Sequence, residues 1–190
     1  MDAELRRLRE LIAAEGLRVA KGEPFQLSAG GTSPYLFDLK PVMLHAEGAT
    51  LLGKLCLAAI RPWGPTHVGG MELGAAPLAA LVVQASHGSA QELRGFVVRK
   101  EPKGHGIRDA IVGNIPAAGA PVAVVEDVST TGRSVLEKTL PHLRAAGADV
   151  RGVLTVVDRA QGAAEAYAKA GVPFRWMLRL DDFPELTGRE

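Results

Sequence analysis

The hydrophobic positions of the chain recur with a helical period in some segments and cluster into short runs in others. Apolar residues three or four apart among charges predict a first helix over residues 2 to 15, which Gly16 ends. The same spacing predicts helices over residues 46 to 60, 74 to 86, 133 to 146 and 161 to 170. Pro141 falls inside the fourth of these and should kink it, because proline lacks the N–H that a helix interior needs.

Short apolar runs predict strands that alternate with these helices. They cover residues 66 to 68, 95 to 98, 121 to 125, 150 to 157 and 174 to 178. This alternation is typical of an α/β fold, a doubly wound and mainly parallel sheet with flanking helices. The unbroken apolar run Val122–Val125 fits a strand that is buried on both faces.

The first 45 residues do not follow the repeating pattern. Residues 17 to 40 are turn-rich, and two short apolar runs between Phe25 and Leu39 predict a hairpin. We therefore expect a single domain over residues 1–190, in which 1–45 form a small N-terminal hood of helix plus hairpin and 46–190 form the core.

Composition excludes several classes of function. The formal net charge is +1, so bulk charge does not favour binding to nucleic acid or to an anionic membrane. No run approaches the roughly 20 apolar residues that span a bilayer, and the charged N-terminus shows no secretory signal. The single cysteine, Cys56, excludes a disulfide within the chain, so we expect a cytoplasmic protein.

The chemistry is concentrated where the most apolar strand ends. Glu126 and Asp127 follow that strand, and Val128-Ser129-Thr130-Thr131-Gly132-Arg133-Ser134 leads into the next helix. Ligands of open parallel sheets bind at the carboxyl ends of strands, and loop N–H groups beside a helix start attract anions. The segment therefore predicts a phosphate site, whereas the simpler alternative is an ordinary turn before a capped helix. The two acids would repel phosphate, so they need another role, such as binding sugar hydroxyls or a cation.

This segment resembles the phosphoribosyl pyrophosphate (PRPP) motif of the type I phosphoribosyltransferases. In that family the two acids bind the ribose hydroxyls, and the hydroxyl-rich loop holds the 5′-phosphate. The resemblance implies a type I phosphoribosyltransferase fold and PRPP as a substrate.

A second polar cluster, Arg99-Lys100-Glu101-Pro102-Lys103-Gly104-His105-Gly106, follows another predicted strand. It resembles the catalytic loop of the orotate phosphoribosyltransferase family, although a solvated basic loop is the alternative. Three further stretches resemble the same family in order: Phe25–Leu39, Gly69–Ala79 and Val157-Asp158-Arg159. The sequence departs from many relatives at Ser28 and at Glu72-Leu73, where they carry a lysine or an aromatic–lysine pair.

The resemblance implies transfer of ribose 5-phosphate from PRPP to orotate in pyrimidine biosynthesis, with Mg²⁺ as cofactor and no metal ligand set from the protein alone. Catalytic roles are implied for Lys103, His105 and Asp127. PRPP binding is implied for Arg99, Lys100, Lys103, His105, Glu126, Asp127, Val128, Ser129, Thr130, Thr131, Gly132, Arg133 and Ser134. Orotate binding is implied for Thr130, Arg159, Leu36 and Phe37. A homodimer that shares loop 99–108 between subunits is implied as well.

Several alternatives stay open at this point. Arg159 would be a surface arginine paired with Asp158 if it had no role in binding. The chain would be a salvage phosphoribosyltransferase if the base were not orotate, or a non-catalytic PRPP-binding regulator if the loop after residue 98 served no reaction.

Overall fold

The most apolar strand lies inside the main sheet of the computed structural model, which describes residues 1–26, 31–101 and 110–186. The α-helices in these ranges are α1 (Ala3–Leu11), α2 (Lys40–Met43), α3 (Ala46–Ile60), α4 (Ala75–Ser86), α5 (Leu140–Ala145) and α6 (Ala163–Lys169). The strands are β1 (Leu17–Val19), β2 (Phe25–Gln26), β3 (Thr32–Ser33), β4 (Tyr35–Phe37), β5 (His67–Met71), β6 (Arg94–Val98), β7 (Ile111–Gly113), β8 (Pro121–Ser129), β9 (Asp149–Asp158) and β10 (Phe174–Arg179). Within these ranges, no helix has the length and apolar character needed to cross a membrane.

Six of the described strands form the main sheet, in the order β10-β9-β8-β5-β6-β7. All neighbouring pairs are parallel except β6 and β7, which are antiparallel. The α/β fold with a doubly wound, mainly parallel sheet is therefore confirmed. The carboxyl ends of β5 and β8 meet at one edge of the sheet, because the two strands are adjacent and parallel.

Alternate residues of β8 face two separate cores. Ala123 and Val125 join the core beneath α1, α3 and α4, whereas Val122 and Val124 join the core beneath α5 and α6. This alternation accounts for the unbroken apolar run, since both faces of the strand are covered by helices.

The N-terminal hood is confirmed, but its strands pair differently from the prediction. Strands β2 and β3 form a short antiparallel ladder, with Phe25 opposite Ser33. Strand β4 pairs instead with β1, a strand that the sequence pattern did not predict. The hood therefore contains two small ladders and not one hairpin.

The helix predicted over residues 133 to 146 is divided at its proline. A π-helical segment, Ser134–Thr139, precedes α5, and Pro141 lies in the first turn of α5. The first turn of a helix tolerates proline, because its N–H groups have no partner within the helix. The helix thus changes type beside Pro141, the residue at which the sequence predicts a kink.

Candidate active site

A cavity of about 490 Å³ opens at the carboxyl ends of β5 and β8. It is lined by residues from the ends of β5, β6 and β8, from the loop after β8 and from the π-helical segment that follows. They are Met71, Glu72, Lys100, Glu126, Val128, Thr130, Thr131, Gly132, Arg133, Ser134, Glu137 and Lys138. Seven of the residues predicted to form a phosphate site, from Glu126 to Ser134, are thus brought to one cavity wall.

The turn before the helix depends on Gly132. Its φ is +72°, a conformation that side-chain-bearing residues rarely adopt. Its carbonyl accepts the N–H of Leu136 at 3.0 Å, so the turn continues directly into the helical segment. Thr130, Thr131 and Ser134 of this loop line the cavity. Hydroxyl groups and free backbone N–H groups beside a helix start are the groups that bind an anion.

Glu126 and Asp127 lie on opposite faces of β8, because successive side chains of a strand alternate. Glu126 is on the cavity side, and its Oε2 accepts the Ser129 hydroxyl at 3.1 Å. Burial and the neighbouring Asp127 raise the pKa of Glu126 to about 8, against the opposing effect of the Ser129 hydrogen bond. Burial at the cavity wall therefore favours the protonated form of Glu126.

Asp127 lies against Gly74, where its carboxylate occupies the space that a side chain would need. Burial raises the pKa of Asp127, while the Val128 N–H at 2.9 Å and the charge of Lys40 act in the opposite direction. Lys40 is itself ion-paired with Asp38 at 2.6 Å. Asp127 is thus directed toward the hood, outside the set of residues that line the cavity.

The structure describes three of the cationic residues predicted to bind PRPP: Arg99, Lys100 and Arg133. Lys100 lines the cavity, and Arg133 lines it while paired with Glu137 at 3.0 Å. Arg99 lies at the end of β6, where its backbone N–H donates to the Ala110 carbonyl at 2.8 Å. Lys103 and His105 lie outside the described residues.

Glu72 contributes a second carboxylate to the cavity wall. Its Oε1 accepts the backbone N–H of Lys100 at 2.9 Å, and its own N–H donates to Val98 at 2.9 Å. It forms no ion pair with any residue that the structure describes. An anion bound in this cavity would therefore meet two carboxyl groups, those of Glu72 and Glu126.

Arg159 lies immediately after β9 and is only 4% exposed, so the alternative of a surface arginine is wrong. Its backbone N–H donates to Ser129 at 2.9 Å, which places it beside the end of β8. Its Nη2 donates to Ser33 Oγ at 2.9 Å, and its Nε is buried with no hydrogen-bond partner among the described residues. Asp158 is instead 3.3 Å from Arg179 Nε.

The structure separates the remaining predicted residues from the cavity. Ser129 is buried, and its hydroxyl is directed to Glu126. Leu36 and Phe37 belong to β4, and the Phe37 ring packs at 4.9 Å against Phe183. Within the described ranges, the predicted residues thus form two groups, one around the cavity and one around Arg159 and the hood.

Sequence reasoning missed residues of both groups. Glu72 follows a parallel strand at the same sheet edge as Glu126, so the rule that located Glu126 could have located it too. The sequence pattern places Ser33 and Tyr35 in the hood and predicts no role for them in the site. Tyr167, whose ring packs against Gly132, has no sequence signal, because an aromatic residue on a helix usually indicates only core packing.

Comparison with known proteins supports one family. No protein-family model matches the chain. Orotate phosphoribosyltransferase of Bradyrhizobium sp. (strain ORS 278) is 44% identical over 185 residues, which cover 96% of this chain and 98% of that protein. The protein of the same name from Aquifex aeolicus is 40% identical over 179 residues, with 94% and 97% covered.

A solved structure agrees with these relatives. The crystal structure of Mycobacterium tuberculosis orotate phosphoribosyltransferase in complex with PRPP is similar at a TM-score of 0.75 and 32% identity, with 96% of this chain and 93% of that chain covered. The similarity therefore extends over nearly the whole of both chains. The chain belongs to the orotate phosphoribosyltransferase family.

Proposed function

We propose that this chain transfers ribose 5-phosphate from PRPP to orotate, giving orotidine 5′-monophosphate and pyrophosphate, in the biosynthesis of pyrimidine nucleotides. One observation supports this most directly: beside the cavity for phosphate lies a buried arginine, Arg159, that has no carboxylate partner among the described residues. The backbone N–H of Arg159 donates to the Ser129 carbonyl at 2.9 Å and so joins the arginine to the end of β8. The segment over residues 128–134, which we call the phosphate loop, begins there. Together these features suit a substrate pair that carries phosphate and a carboxylate.

The phosphate loop is proposed to hold the 5′-phosphate of PRPP. Thr130, Thr131 and Ser134 offer hydroxyl donors, and the backbone from Val128 to Gly132 offers N–H groups. Glu126 is proposed to accept hydrogen bonds from the ribose hydroxyls, held in place by Ser129. Asp127 shares that role in the proposal, which requires its carboxylate to turn from the hood side toward the sugar.

The diphosphate is proposed to lie toward the end of β6. Arg99 and Lys100 begin the cationic segment there, and the resemblance adds Lys103 and His105. Cations around a leaving group stabilise the charge that develops as the C1–O bond breaks. Lys103 is proposed as the main catalytic side chain, so Lys103→Ala should lower kcat more than it weakens PRPP binding.

Orotate is proposed to bind with its carboxylate at Arg159, near Thr130 and the backbone of Leu36 and Phe37. A planar guanidinium binds a carboxylate through two parallel hydrogen bonds. Orotate is already an anion, so the reaction needs little general-base catalysis. The contribution of the protein is then mostly orientation of the two substrates and stabilisation of the departing charge.

Mg²⁺ is the proposed cofactor. The described residues contain no group of three or more metal-ligating side chains, but two carboxyl groups, Glu72 and Glu126, line the phosphate cavity. This donor set fits a cation that keeps several waters and binds mainly through substrate phosphates. When bound, Mg²⁺ would supply Lewis-acid stabilisation of the diphosphate.

We also propose a cytoplasmic homodimer in which loop 99–108 of one subunit acts in the site of the other. The family resemblance supports this arrangement. A mixture of inactive Lys103→Ala and Arg159→Ala proteins tests it, because a mixed dimer restores one complete site only if the loop is shared. Activity that does not return after subunit exchange would contradict loop sharing.

A base-selection assay tests the proposed function. The protein is mixed with PRPP, Mg²⁺ and either orotate, uracil or hypoxanthine, while pyrophosphate release and orotate absorbance are followed. We expect turnover with orotate alone. Turnover only with another base would indicate a salvage enzyme, and PRPP binding without any turnover would indicate a regulator.

A further inference from the structure

Two residues of the N-terminal hood contact the guanidinium of Arg159. The Ser33 hydroxyl accepts a hydrogen bond from Nη2 at 2.9 Å, and the Tyr35 ring centroid lies 4.7 Å from Cζ. Ser33 is 4% and Tyr35 is 7% exposed, so the contacts form away from bulk water. Ser33 Oγ also accepts the Tyr35 N–H at 3.3 Å, which ties the two residues together.

The backbone of Arg159 is held as well. Its N–H donates to Ser129, and the next residue, Ala160, has a φ of +54°. The Asp158 carboxylate stabilises that turn by accepting the Ala160 N–H at 3.0 Å. Both ends of the Arg159 side chain are therefore fixed, one by the sheet edge and one by the hood.

The contacts from the hood hold the guanidinium without neutralising it. A hydroxyl and an aromatic face are neutral, whereas an aspartate or glutamate at the same place would cancel the positive charge. Nε stays buried and without a hydrogen-bond partner among the described residues. A desolvated guanidinium whose charge is not neutralised has a strong preference for an anionic ligand.

We propose that Ser33 and Tyr35 are positioning residues that orient Arg159 toward the carboxylate of the base and so set the preference for a carboxylated pyrimidine. The inference rests on the orotate-binding role given to Arg159 in the proposed function. Because these residues act only through Arg159, their loss should affect ligands with that carboxylate and spare ligands without it.

The test compares the nucleotide product with its analogue that lacks the carboxylate. In Ser33→Ala, we expect the KM for orotate and the Kd for orotidine 5′-monophosphate to rise roughly tenfold, the factor for losing one charge-assisted hydrogen bond. The KM for PRPP and the Kd for uridine 5′-monophosphate should stay within about twofold. Ser33→Thr keeps a hydroxyl and should restore orotate binding. Thr32→Ala, an exposed neighbour on the same strand, is the matched control and should match the unmodified protein.

A second pair of variants tests the aromatic contact. Tyr35→Phe keeps the ring and should bind orotate normally, whereas Tyr35→Leu should raise the orotate KM several-fold. This pair also keeps the inference testable if Ser33→Ala fails to fold.

Arg159→Ala distinguishes the orotate-binding role of Arg159 from the positioning role of Ser33 and Tyr35. If Arg159→Ala leaves the orotate KM unchanged, the carboxylate site of the proposed function is wrong, and the inference with it. If Arg159→Ala weakens orotate binding but Ser33→Ala and Tyr35→Leu do not, only the inference is overturned. A uniform loss of affinity for both nucleotides would assign Ser33 a merely structural role and would also overturn it.

Discussion

The ring of Tyr167 lies against Gly132, so that a Cβ at Gly132 would stand 3.0 Å from Cε2 of the ring. Helix α6 thus supports the phosphate loop through Tyr167, which does not itself line the cavity. The Tyr167 hydroxyl is buried and has no hydrogen-bond partner among the described residues. The loop is therefore shaped by packing against this ring as well as by its own hydrogen bonds.

We expect Gly132→Ala to raise the KM for PRPP tenfold or more and to destabilise the fold by about 2 kcal/mol. The φ of +72° disfavours any side chain by about 1–2 kcal/mol, and the contact with the ring adds to that cost. Steady-state kinetics and thermal unfolding measure the two effects. Gly162→Ala is the matched control, because Gly162 also has a positive φ but no atom lies within 4 Å of its Cβ position. An equal effect on PRPP binding in both variants would exclude the contact as the cause.

Glu126 should make stability depend on pH. Its folded pKa of about 8 lies above the ordinary value of 4.5, so the folded state binds more protons than the unfolded state between these pH values. The free energy of unfolding therefore falls as pH rises from about 4.5 to 8, since ionised Glu126 is buried at a cost. Glu126→Gln removes this cost while lowering PRPP affinity.

We expect Glu126→Gln to unfold at a temperature several degrees higher than the unmodified protein at pH 8.5, with almost no difference at pH 4.5. The gain corresponds to roughly 1–3 kcal/mol at the higher pH. Calorimetry across this range measures it, and Glu165→Gln, an exposed site, is the control. A gain of equal size at both pH values would contradict the assignment.

The charge of Glu72 should weaken binding of metal-free pyrophosphate. Glu72→Gln keeps an oxygen that can accept the Lys100 N–H and removes only the charge, so we expect metal-free pyrophosphate to bind about threefold to tenfold more tightly. The gain should be smaller when Mg²⁺ accompanies pyrophosphate, because the cation offsets the repulsion. Titration calorimetry with and without a chelator measures both. Glu165→Gln again controls for net charge, and an unchanged affinity in Glu72→Gln would refute a role for the charge.

Cys56 should be unreactive in the folded protein. Burial raises the pKa of its thiol to about 12, and the side chain is fully enclosed beside Met177. Because the thiolate is the reactive form, alkylation at pH 8 should proceed only after unfolding. Mass spectrometry of labelled protein, in buffer and in denaturant, checks this. Rapid labelling of the folded protein would mean that the core around α3 opens locally.

The sequence predicted the regular part of the fold well, because helical spacing and apolar runs report burial directly. The helix predicted over residues 46 to 60 coincides with α3 at both ends. Strand β8 extends four residues beyond the predicted run, because pairing with β9 continues through Glu126 and Ser129 after the hydrophobic pattern ends. Strand β5 also extends through Gly69 and Gly70, which pair with β6. Glycine is needed at both positions, because the carbonyl groups of Phe96 and Val125 leave no room for a Cβ.

The site was predictable where it follows a general rule and not where it depends on distant packing. The phosphate loop was located because parallel strands bind ligands at their carboxyl ends. The contact between Ser33 and Arg159 joins positions 126 residues apart, and no local pattern encodes it. The same holds for the support that Tyr167 gives to Gly132.

The position of β8 in the middle of the sheet has a consequence for synthesis of the protein on the ribosome. One neighbour, β5, is made before β8, and the other, β9, ends at Asp158. The strand that begins the phosphate loop therefore cannot pair fully with β9 until residue 158 has left the exit tunnel. Arg159 emerges immediately afterwards. The hood residues that contact Arg159 are translated more than one hundred positions earlier, so this contact between the hood and the sheet edge forms only late in translation.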